Sequence, residues 1–303
     1  MNKKMVIIAG IICITTELFS ASGATGVAFS KVSPSARASG MAEAFVGLAD
    51  DSSAIWYNPA GLAKITKLSV GGTYGMLFEG LNFQYVSLAY PMKTGVIGGS
   101  VVMTDYGSIK GWDTSGNSTG DFSAKDMMLS AGYAYRMSNI NVAGVVKLVQ
   151  STIESKSNNT VSLDLGVLYT LDEKTSLGLA VKNVIGSIKY DEQSVNLPML
   201  IKAGVGYDIG HVIGTNDKLV LLADITNDSE VGTVIQPAAE LIYPMGTTDL
   251  MVRAGYKTGG VPSGAGLTAG FSVKFQQQYR VDVSYAPLGD LGNAIRVGLE
   301  LQF

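Results

Sequence analysis

The sequence predicts an all-β fold: a transmembrane antiparallel β-barrel of about 14 strands that follows a short α-helical N-terminal plug. Three observations support this prediction. Apolar and polar residues alternate from about residue 68 to the C-terminus, short and long connections alternate between these runs, and the charged residues fall on one face. A soluble β-sandwich shows the same alternation but seldom has so many meandering strands, and it is the alternative fold.

The first 24 residues have the pattern of a secretory signal peptide. Two lysines precede an apolar run over residues 5–14, and three small residues end at Ala24, where cleavage is expected. The run is shorter than the roughly 20 residues that a membrane-spanning helix needs. Cleavage would remove Cys13, the single cysteine of the sequence, so we predict that the exported chain contains no disulfide and no Cys-ligated metal.

Composition and motif content argue against several classes of function. The chain has 303 residues, of which 16% are charged, and a formal net charge of -3 without a Lys/Arg block, which disfavours nucleic-acid binding. The single histidine, His211, falls in a predicted turn, and no nucleophile is spaced to use it as a base. We therefore predict no enzymatic activity, no cofactor and no metal site.

The alternating runs define the predicted strands. The connections after the even-numbered runs are mostly short, whereas residues 110–125, 186–197 and 259–266 are predicted to be long polar loops. This asymmetry is typical of barrels with short periplasmic turns and longer outside loops. We accordingly assign residues 25–66 to the plug and residues 67–303 to the barrel. The runs begin near residues 68, 82, 96, 126, 140, 160, 176, 198, 218, 233, 250, 267, 279 and 294.

The charged residues of the strands alternate with apolar neighbours and are predicted to face the lumen. A charge that faces lipid costs about 2–4 kcal/mol at the bilayer midplane, so a barrel cannot carry many of them outside. Inside, they either neutralise one another and hold the strand register, or line a passage for a solute. The predicted lumen-facing charges are Arg136, Asp164, Lys202, Asp208, Glu240, Arg253, Lys274, Arg280, Asp282, Arg296 and Glu300.

An alanine- and glycine-rich segment precedes the first strand and forms the predicted plug. Residues 33–49 have the pattern of a short helix with Ser33 as its N-cap. Pro59 disfavours helical backbone at Asn58, whose side chain can start a new turn. Two roles are open for this segment, a static cap that stabilises the barrel or a mobile gate. Its predicted motif residues are Asp50, Asp51, Trp56, Asn58, Pro59 and Ala60.

The run SARASGMAEAFVGLADDSSAIWYNPAGLAKI, residues 35–65, resembles the N-terminal motif of the PorV/PorQ family, outer-membrane proteins related to the FadL fatty-acid transporters. The resemblance implies a barrel with this segment inside its lumen and with Asn58, Pro59 and Ala60 at the tip of the plug. Glu43 departs from the small residues expected in the plug helix. The C-terminal LELQF, which ends at Phe303, resembles the signal by which the barrel-assembly machinery recognises its substrates.

The same resemblance implies a function in the bacterial outer membrane, as a passage for a hydrophobic small molecule such as a fatty acid. The alternative is a non-enzymatic component or shuttle of a type IX secretion system, which would bind secreted proteins. The expected partners are outer-membrane lipid, the assembly machinery at the Phe303 strand, and either a hydrophobic small molecule or a secreted protein. No nucleic acid is expected among them.

Overall fold

The computed structural model describes residues 27–77, 80–190, 193–259 and 266–303. The predicted signal peptide lies outside these residues. Among them, no helix is long and apolar enough to cross a membrane. The strands are β1 (Ser69–Met76), β2 (Asn82–Pro91), β3 (Gly95–Trp112), β4 (Ser118–Met137), β5 (Ile140–Ile153), β6 (Lys156–Thr170), β7 (Thr175–Lys182), β8 (Ser187–Tyr190), β9 (Gln193–Asn196), β10 (Leu200–Gly210), β11 (Lys218–Asp228), β12 (Gly232–Met245), β13 (Thr248–Tyr256), β14 (Leu267–Phe275), β15 (Tyr279–Pro287) and β16 (Asn293–Gln302).

Within the described residues, 14 of these strands close into one antiparallel barrel, which confirms the predicted fold class. Each strand pairs with its neighbour in sequence, except that β7 pairs with β10 because β8 and β9 form a separate hairpin between them. The first and last strands close the cylinder, with Ser69 opposite Gln302 and Met76 opposite Ile295. In the body of the barrel, closure gives each described strand a neighbour on both sides, so the backbone polar groups there are satisfied internally.

Only short helical segments accompany the strands in the described part of the chain. The predicted helix over residues 33–49 is wrong in extent, because Ala42 and Glu43 have φ of 51° and 68°, a left-handed conformation that a right-handed helix does not contain. Its N-cap is Ser35 rather than Ser33, and the Ser35 hydroxyl accepts from an N–H three residues ahead at 3.4 Å. The α-helical turns are Ala36–Ser39 and Ala54–Tyr57, and the 3-10 segments are Ala28–Lys31, Pro59–Lys64 and Gly289–Leu291.

The two rims of the barrel differ. We call the rim where β1 begins and β16 ends the turn end, and the opposite rim the loop end. At the loop end, the prediction of a polar loop over residues 110–125 is wrong, because β3 and β4 stay paired as far as Trp112 and Ser118. Antiparallel pairing satisfies the backbone whatever the polarity of the side chains, so a polar ribbon continues past the body of the barrel. The turn-end connections are residues 92–94, 138–139, 171–174, 211–217, 246–247 and 276–278.

The predicted loop over residues 186–197 also lies at the loop end. Residues 186–197 contain the β8–β9 hairpin. Of the loop predicted over residues 259–266, residues 260–265 fall outside the described chain.

The strands bury alternate side chains, as a barrel with two different faces requires. On β15, Val281 and Val283 point outward and are 40% and 42% exposed, whereas Asp282 and Ser284 point inward and are 3% and 1% exposed. Leu168 is an apolar residue on the inner face and is fully buried. Exposed aromatic rings lie toward both rims, at Tyr90, Tyr135, Tyr207, Tyr243, Tyr279 and Phe303 near the turn end and at Tyr74, Tyr256 and Tyr285 near the loop end.

Candidate functional site

The plug, residues 27–66, packs inside the barrel and is the centre of the candidate site. Ala38, Met41 and Phe45 are completely buried. The ring of Phe45 meets Tyr57 edge-on, with 5.4 Å between ring centroids. Tyr57 in turn shares a hydrogen bond of 2.5 Å with the hydroxyl of Ser33. The plug therefore has a small core of its own, and its polar atoms are directed toward the wall.

A closed ring of six buried charges joins the plug to the wall, and we call it the ion ring. Arg37 and Asp51 come from the plug, and the other four members come from β12, β13 and β15. The six contacts are Arg37–Glu240 at 2.7 Å, Glu240–Arg253 at 2.6 Å, Arg253–Asp282 at 3.1 Å, Asp282–Arg280 at 2.9 Å, Arg280–Asp51 at 2.7 Å and Asp51–Arg37 at 3.1 Å.

The ion ring is electrically balanced and tightly bonded. Three guanidinium groups alternate with three carboxylates, so each charge lies between two partners of opposite sign. Burial would raise the pKa of Asp51, but Arg280 and Arg37 outweigh it and lower that pKa to about 2. Burying ions is costly unless every member is paired and hydrogen-bonded, and this arrangement meets that condition.

Asn58 ties three parts of the interior together. Its side-chain amide donates to the carbonyl of Val46 in the plug and to the carbonyl of Val167 on β6, each at 3.0 Å. Its side-chain oxygen accepts from the N–H of Ala60 at 3.2 Å and so caps the segment that begins at Pro59. The predicted turn at Asn58-Pro59 is present, and Asn58 serves as an anchor to the wall as well as a turn former.

Wall side chains also bind the plug backbone directly. The carboxylate of Asp224 on β11 accepts from the N–H groups of Phe45 and Val46, both at 2.8 Å. Ser176 on β7 donates to the carbonyl of Gly47 at 2.6 Å. Because the plug has little regular structure, its backbone groups need such partners, and the wall supplies them.

Glycines on the inner wall allow the plug backbone to approach the strands. A Cβ atom on Gly255 would lie 2.6 Å from the nitrogen of Ala42, and one on Gly40 would lie 2.9 Å from the Cα of Gly270. These separations are closer than side chains tolerate. The glycine content of the inner face is therefore a packing requirement of the plug.

Ser52 connects the plug to the place where the barrel closes. Its N–H and its hydroxyl donate to the carboxylate of Glu300 on β16 at 3.0 and 2.8 Å, and its hydroxyl also meets that of Ser87 on β2 at 2.7 Å. Glu300 accepts a further bond from Ser69 on β1. One plug residue thus spans the junction of the first, second and last strands.

The inner wall has an apolar sector opposite the ion ring, on β2 to β5. The connection between β7 and β10 folds over it, with Ile188 fully buried and Leu197 3% exposed. Asn183 holds this connection in place by donating to the carbonyl of Pro198 at 2.6 Å and, through its N–H, to Asp164 at 2.7 Å. The sector consists of Phe83, Tyr85, Val102, Met128, Val145 and Val149.

A cavity of about 220 Å³ lies between the plug and the wall strands β10 to β13. Its surface is mixed. Three lysines and two carboxylates face it together with four aliphatic side chains, and Gln236 and Thr226 complete the lining. The charged members are Lys31, Glu43, Lys202, Asp228 and Lys257, and the aliphatic members are Val32, Leu200, Val231 and Val234.

Most of the predicted lumen-facing charges are buried. Asp208 and Lys274 are partly buried, and Arg136 is exposed at the turn-end rim, where its guanidinium donates to the carbonyl of Ala63. Asp164 pairs with Lys147 on β5. The buried members of the predicted set are Asp164, Lys202, Glu240, Arg253, Arg280, Asp282, Arg296 and Glu300.

The predicted motif residues of the plug are almost all buried. Asp50 pairs with Arg37 at 2.5 Å and keeps part of its side chain exposed. Trp56 lies beneath the ammonium of Lys182, which is 4.1 Å from the ring centroid. Arg37 and Ser52 are not among the residues predicted from the sequence to form the plug motif. A lone arginine in an alanine-rich segment was the available signal for Arg37, and nothing in the pattern distinguished Ser52 from its neighbours.

No protein-family model and no curated protein matches the chain. Solved structures match it in fold. The CymD monoaromatic hydrocarbon channel superposes with a TM-score of 0.58 at 12% identity, covering 90% of this chain and 98% of that one. The Pseudomonas putida toluene transporter TodX gives 0.53 at 11% identity, covering 94% and 98%, and a Pseudomonas aeruginosa FadL homologue gives 0.55 at 11% identity, covering 89% and 97%. At such low identity the likeness establishes a shared barrel fold.

Proposed function

We propose that the protein is an outer-membrane barrel that admits small hydrophobic molecules into its lumen. The membrane location is supported by the outer surface, where apolar side chains on strand after strand are exposed. Val86 is 54% exposed, Val146 55% and Val252 54%. Apolar surface of this extent is unfavourable in water and suits the lipid core, while the closed sheet satisfies its own backbone.

The observation that carries the choice of solute is the apolar sector on β2 to β5. A lumen that passed only polar solutes would have no need of a contiguous group of aromatic and aliphatic side chains beside its plug, whereas a hydrophobic solute gains free energy by leaving water for such a surface. The neighbours in fold are described as a hydrocarbon channel and a toluene transporter, which agrees with this choice.

In this proposal the plug is the segment that a solute has to pass on its way through the lumen. It is bonded to β6, β7, β11 and β16 and packed against wall glycines, so an intact plug leaves no open path at these contacts. A solute that crosses the barrel needs local displacement of part of this packing. A substitution at Asn58 tests whether the plug is a cap or a gate with the least disturbance, because the side chain of Asn58 hydrogen-bonds to one wall strand, β6.

The test is uptake of radiolabelled toluene by cells that produce the protein, compared with cells that do not and with uptake of glycerol as a polar solute. We expect faster toluene uptake, no change for glycerol, and a several-fold reduction in Met128→Gln, which places an amide in the apolar sector. Met245→Gln, at an exposed turn-end position, is the matched control. Equal toluene uptake with and without the protein would refute the proposal.

Asn58→Ala separates the two roles of the plug in the same assay. A gate predicts altered uptake with normal assembly, and unchanged uptake favours the cap. The secretion role predicted as an alternative gains no support from the structures named above. The secretion role would replace the proposed passage if deletion of the gene spared toluene uptake and trapped secreted proteins in the periplasm.

A further inference from the structure

A cavity of about 510 Å³ opens at the turn end, between the end of the plug and the connection from β2 to β3. Ala63, Ile65 and Thr66 form its plug side. Lys93 and Arg136 bring two positive charges to it, and none of the described residues that line it is an aspartate or a glutamate. The charge of the lining therefore favours an anion.

One nitrogen of the Arg136 guanidinium is held by the plug. It donates to the carbonyl of Ala63, near the end of the 3-10 segment Pro59–Lys64. Among the described residues, Arg136 has no carboxylate within ion-pair distance, and the residue is exposed. Because a guanidinium carries five N–H donors in a planar fork, the group is oriented by the plug and still has donors for an oxyanion.

The edge of the cavity reaches the outer surface of the barrel. Met92 and Tyr135 line it, and both are exposed. The neighbouring Tyr133, also exposed, donates through its hydroxyl to Thr94 at 3.0 Å and so joins the β2–β3 connection to the aromatic residues of the turn-end rim. Aromatic rings at a barrel rim lie at the level of the lipid head groups. The positive charges of the cavity therefore meet lipid-facing side chains at head-group depth.

An anionic phospholipid matches both parts of this surface. Its phosphate accepts paired hydrogen bonds from a guanidinium, and the ammonium of Lys93 adds a second positive charge. Its acyl chains can follow the exposed side chains of Met92 and Tyr135 into the bilayer. A zwitterionic phospholipid suits the cavity less well, because its own cationic group would approach Lys93 and Arg136.

We propose that this cavity binds the head group of an anionic phospholipid from the leaflet at the turn end, with Arg136 on the phosphate and Lys93 beside it. The inference rests on the membrane location in the proposed function and goes beyond the passage, since the ligand is a lipid of the surrounding bilayer. Arg136 then serves two groups at once, the carbonyl at the end of the plug and the phosphate.

The experiment is native mass spectrometry of the full chain in detergent micelles that contain equal amounts of dioleoyl phosphatidylglycerol and dioleoyl phosphatidylcholine. We expect at least about 5-fold more bound phosphatidylglycerol, and a reduction of this preference by about 5-fold in Lys93→Gln. Arg136→Gln should abolish the preference, and Arg136→Lys, which keeps the charge, should retain part of it. Lys174→Gln, at an exposed lysine in the connection between β6 and β7, is the matched control and should change nothing. Heat-dependent gel mobility verifies that each variant is folded.

The proposal is overturned if the two lipids bind equally, or if Lys174→Gln lowers phosphatidylglycerol binding as much as Lys93→Gln does, because overall charge would then be the cause. It is also overturned if inorganic phosphate displaces the bound lipid, which indicates a site for the free ion, or if a soluble oligoglutamate peptide displaces it, which indicates an acidic protein segment as the partner. Toluene uptake distinguishes the two proposals. Uptake that persists while both lipids bind equally removes this inference alone, and absence of uptake removes the passage whichever lipid binds.

Discussion

At the scale of single residues, the ion ring joins the plug to the wall through paired charges that lie far apart in the sequence. Arg37 bonds to Glu240 across 203 positions of sequence, and no local pattern could pair them. The sequence did indicate that the charges of β12 to β16 lie inside, because alternation places them on one face. It also indicated the turn at Asn58. The identity of each ion's partner depended on the closed three-dimensional arrangement.

Acid should loosen the plug through Asp51. Its pKa of about 2 lies below the ordinary value near 3.9, so the stability it contributes is complete above about pH 5 and is lost as pH falls toward 2. The shift corresponds to roughly 2–3 kcal/mol. We expect the free energy of unfolding in urea to fall more steeply between pH 5 and 3 for the unmodified chain than for Asp51→Asn.

Asp290→Asn, in an exposed segment at the loop end, is the control and should reproduce the steep profile. If Asp51→Asn shows that same profile, the carboxylate of Asp51 does not carry the acid sensitivity that the ion ring implies.

At the scale of elements, the plug is shaped by the wall more than by its own helix propensity. The alanine-rich pattern predicted a helix over residues 33–49, yet the chain leaves the helix after one turn because the wall binds its backbone in a different conformation. The same limit applies to β3 and β4, whose loop-end residues 110–112 and 118–125 were predicted as loop. In the plug and in β3 and β4, local composition indicated the polarity of the segment correctly. The backbone conformation was decided by hydrogen bonds to distant parts of the chain.

A methyl group on an inner-wall glycine should displace the plug. The Cβ of Gly255→Ala would overlap the backbone of Met41 and Ala42, which has no flexible end to move aside. We expect the plug to become susceptible to added protease in the folded, heat-modifiable barrel, with toluene uptake increased if the passage exists.

Gly99→Ala is the matched control. Its nearest neighbour would be the oxygen of Ser130 at 3.8 Å, so it should leave protease resistance unchanged. Equal resistance in both variants would mean that the plug backbone can retreat from the wall without loss of its other bonds.

At the scale of the whole molecule, the distribution of polarity is the reverse of that in a soluble domain. Charged side chains lie in the interior and apolar side chains cover the exterior. The alternation of apolar and polar residues in the sequence made this predictable without knowledge of which strands pair. Sequence alternation could not show how the interior is divided, with the ion ring on β12, β13 and β15 and the six apolar side chains of the sector on β2 to β5, beside the buried charges Asp126 and Lys147. That division depends on which strands become neighbours around the cylinder.

An outward charge should impair assembly more than a charge at a rim. Val283 points outward near the middle of β15, where arginine facing lipid costs about 2–4 kcal/mol. We expect Val283→Arg to reduce the heat-modifiable form in outer-membrane fractions severalfold, and Ile213→Arg, in an exposed turn-end connection, to have no effect. Equal yields of the two variants would contradict the membrane location.

The bonds of Ser52 have a consequence for how this molecule is built. The hydroxyl that touches Ser87 belongs to the plug, while its acceptor Glu300 lies 248 positions further along the chain. Placement of the plug and closure of the barrel therefore depend on the same hydrogen bonds. A chain truncated before β16 would lose both the strand that closes the barrel and the carboxylate that holds the plug at that seam.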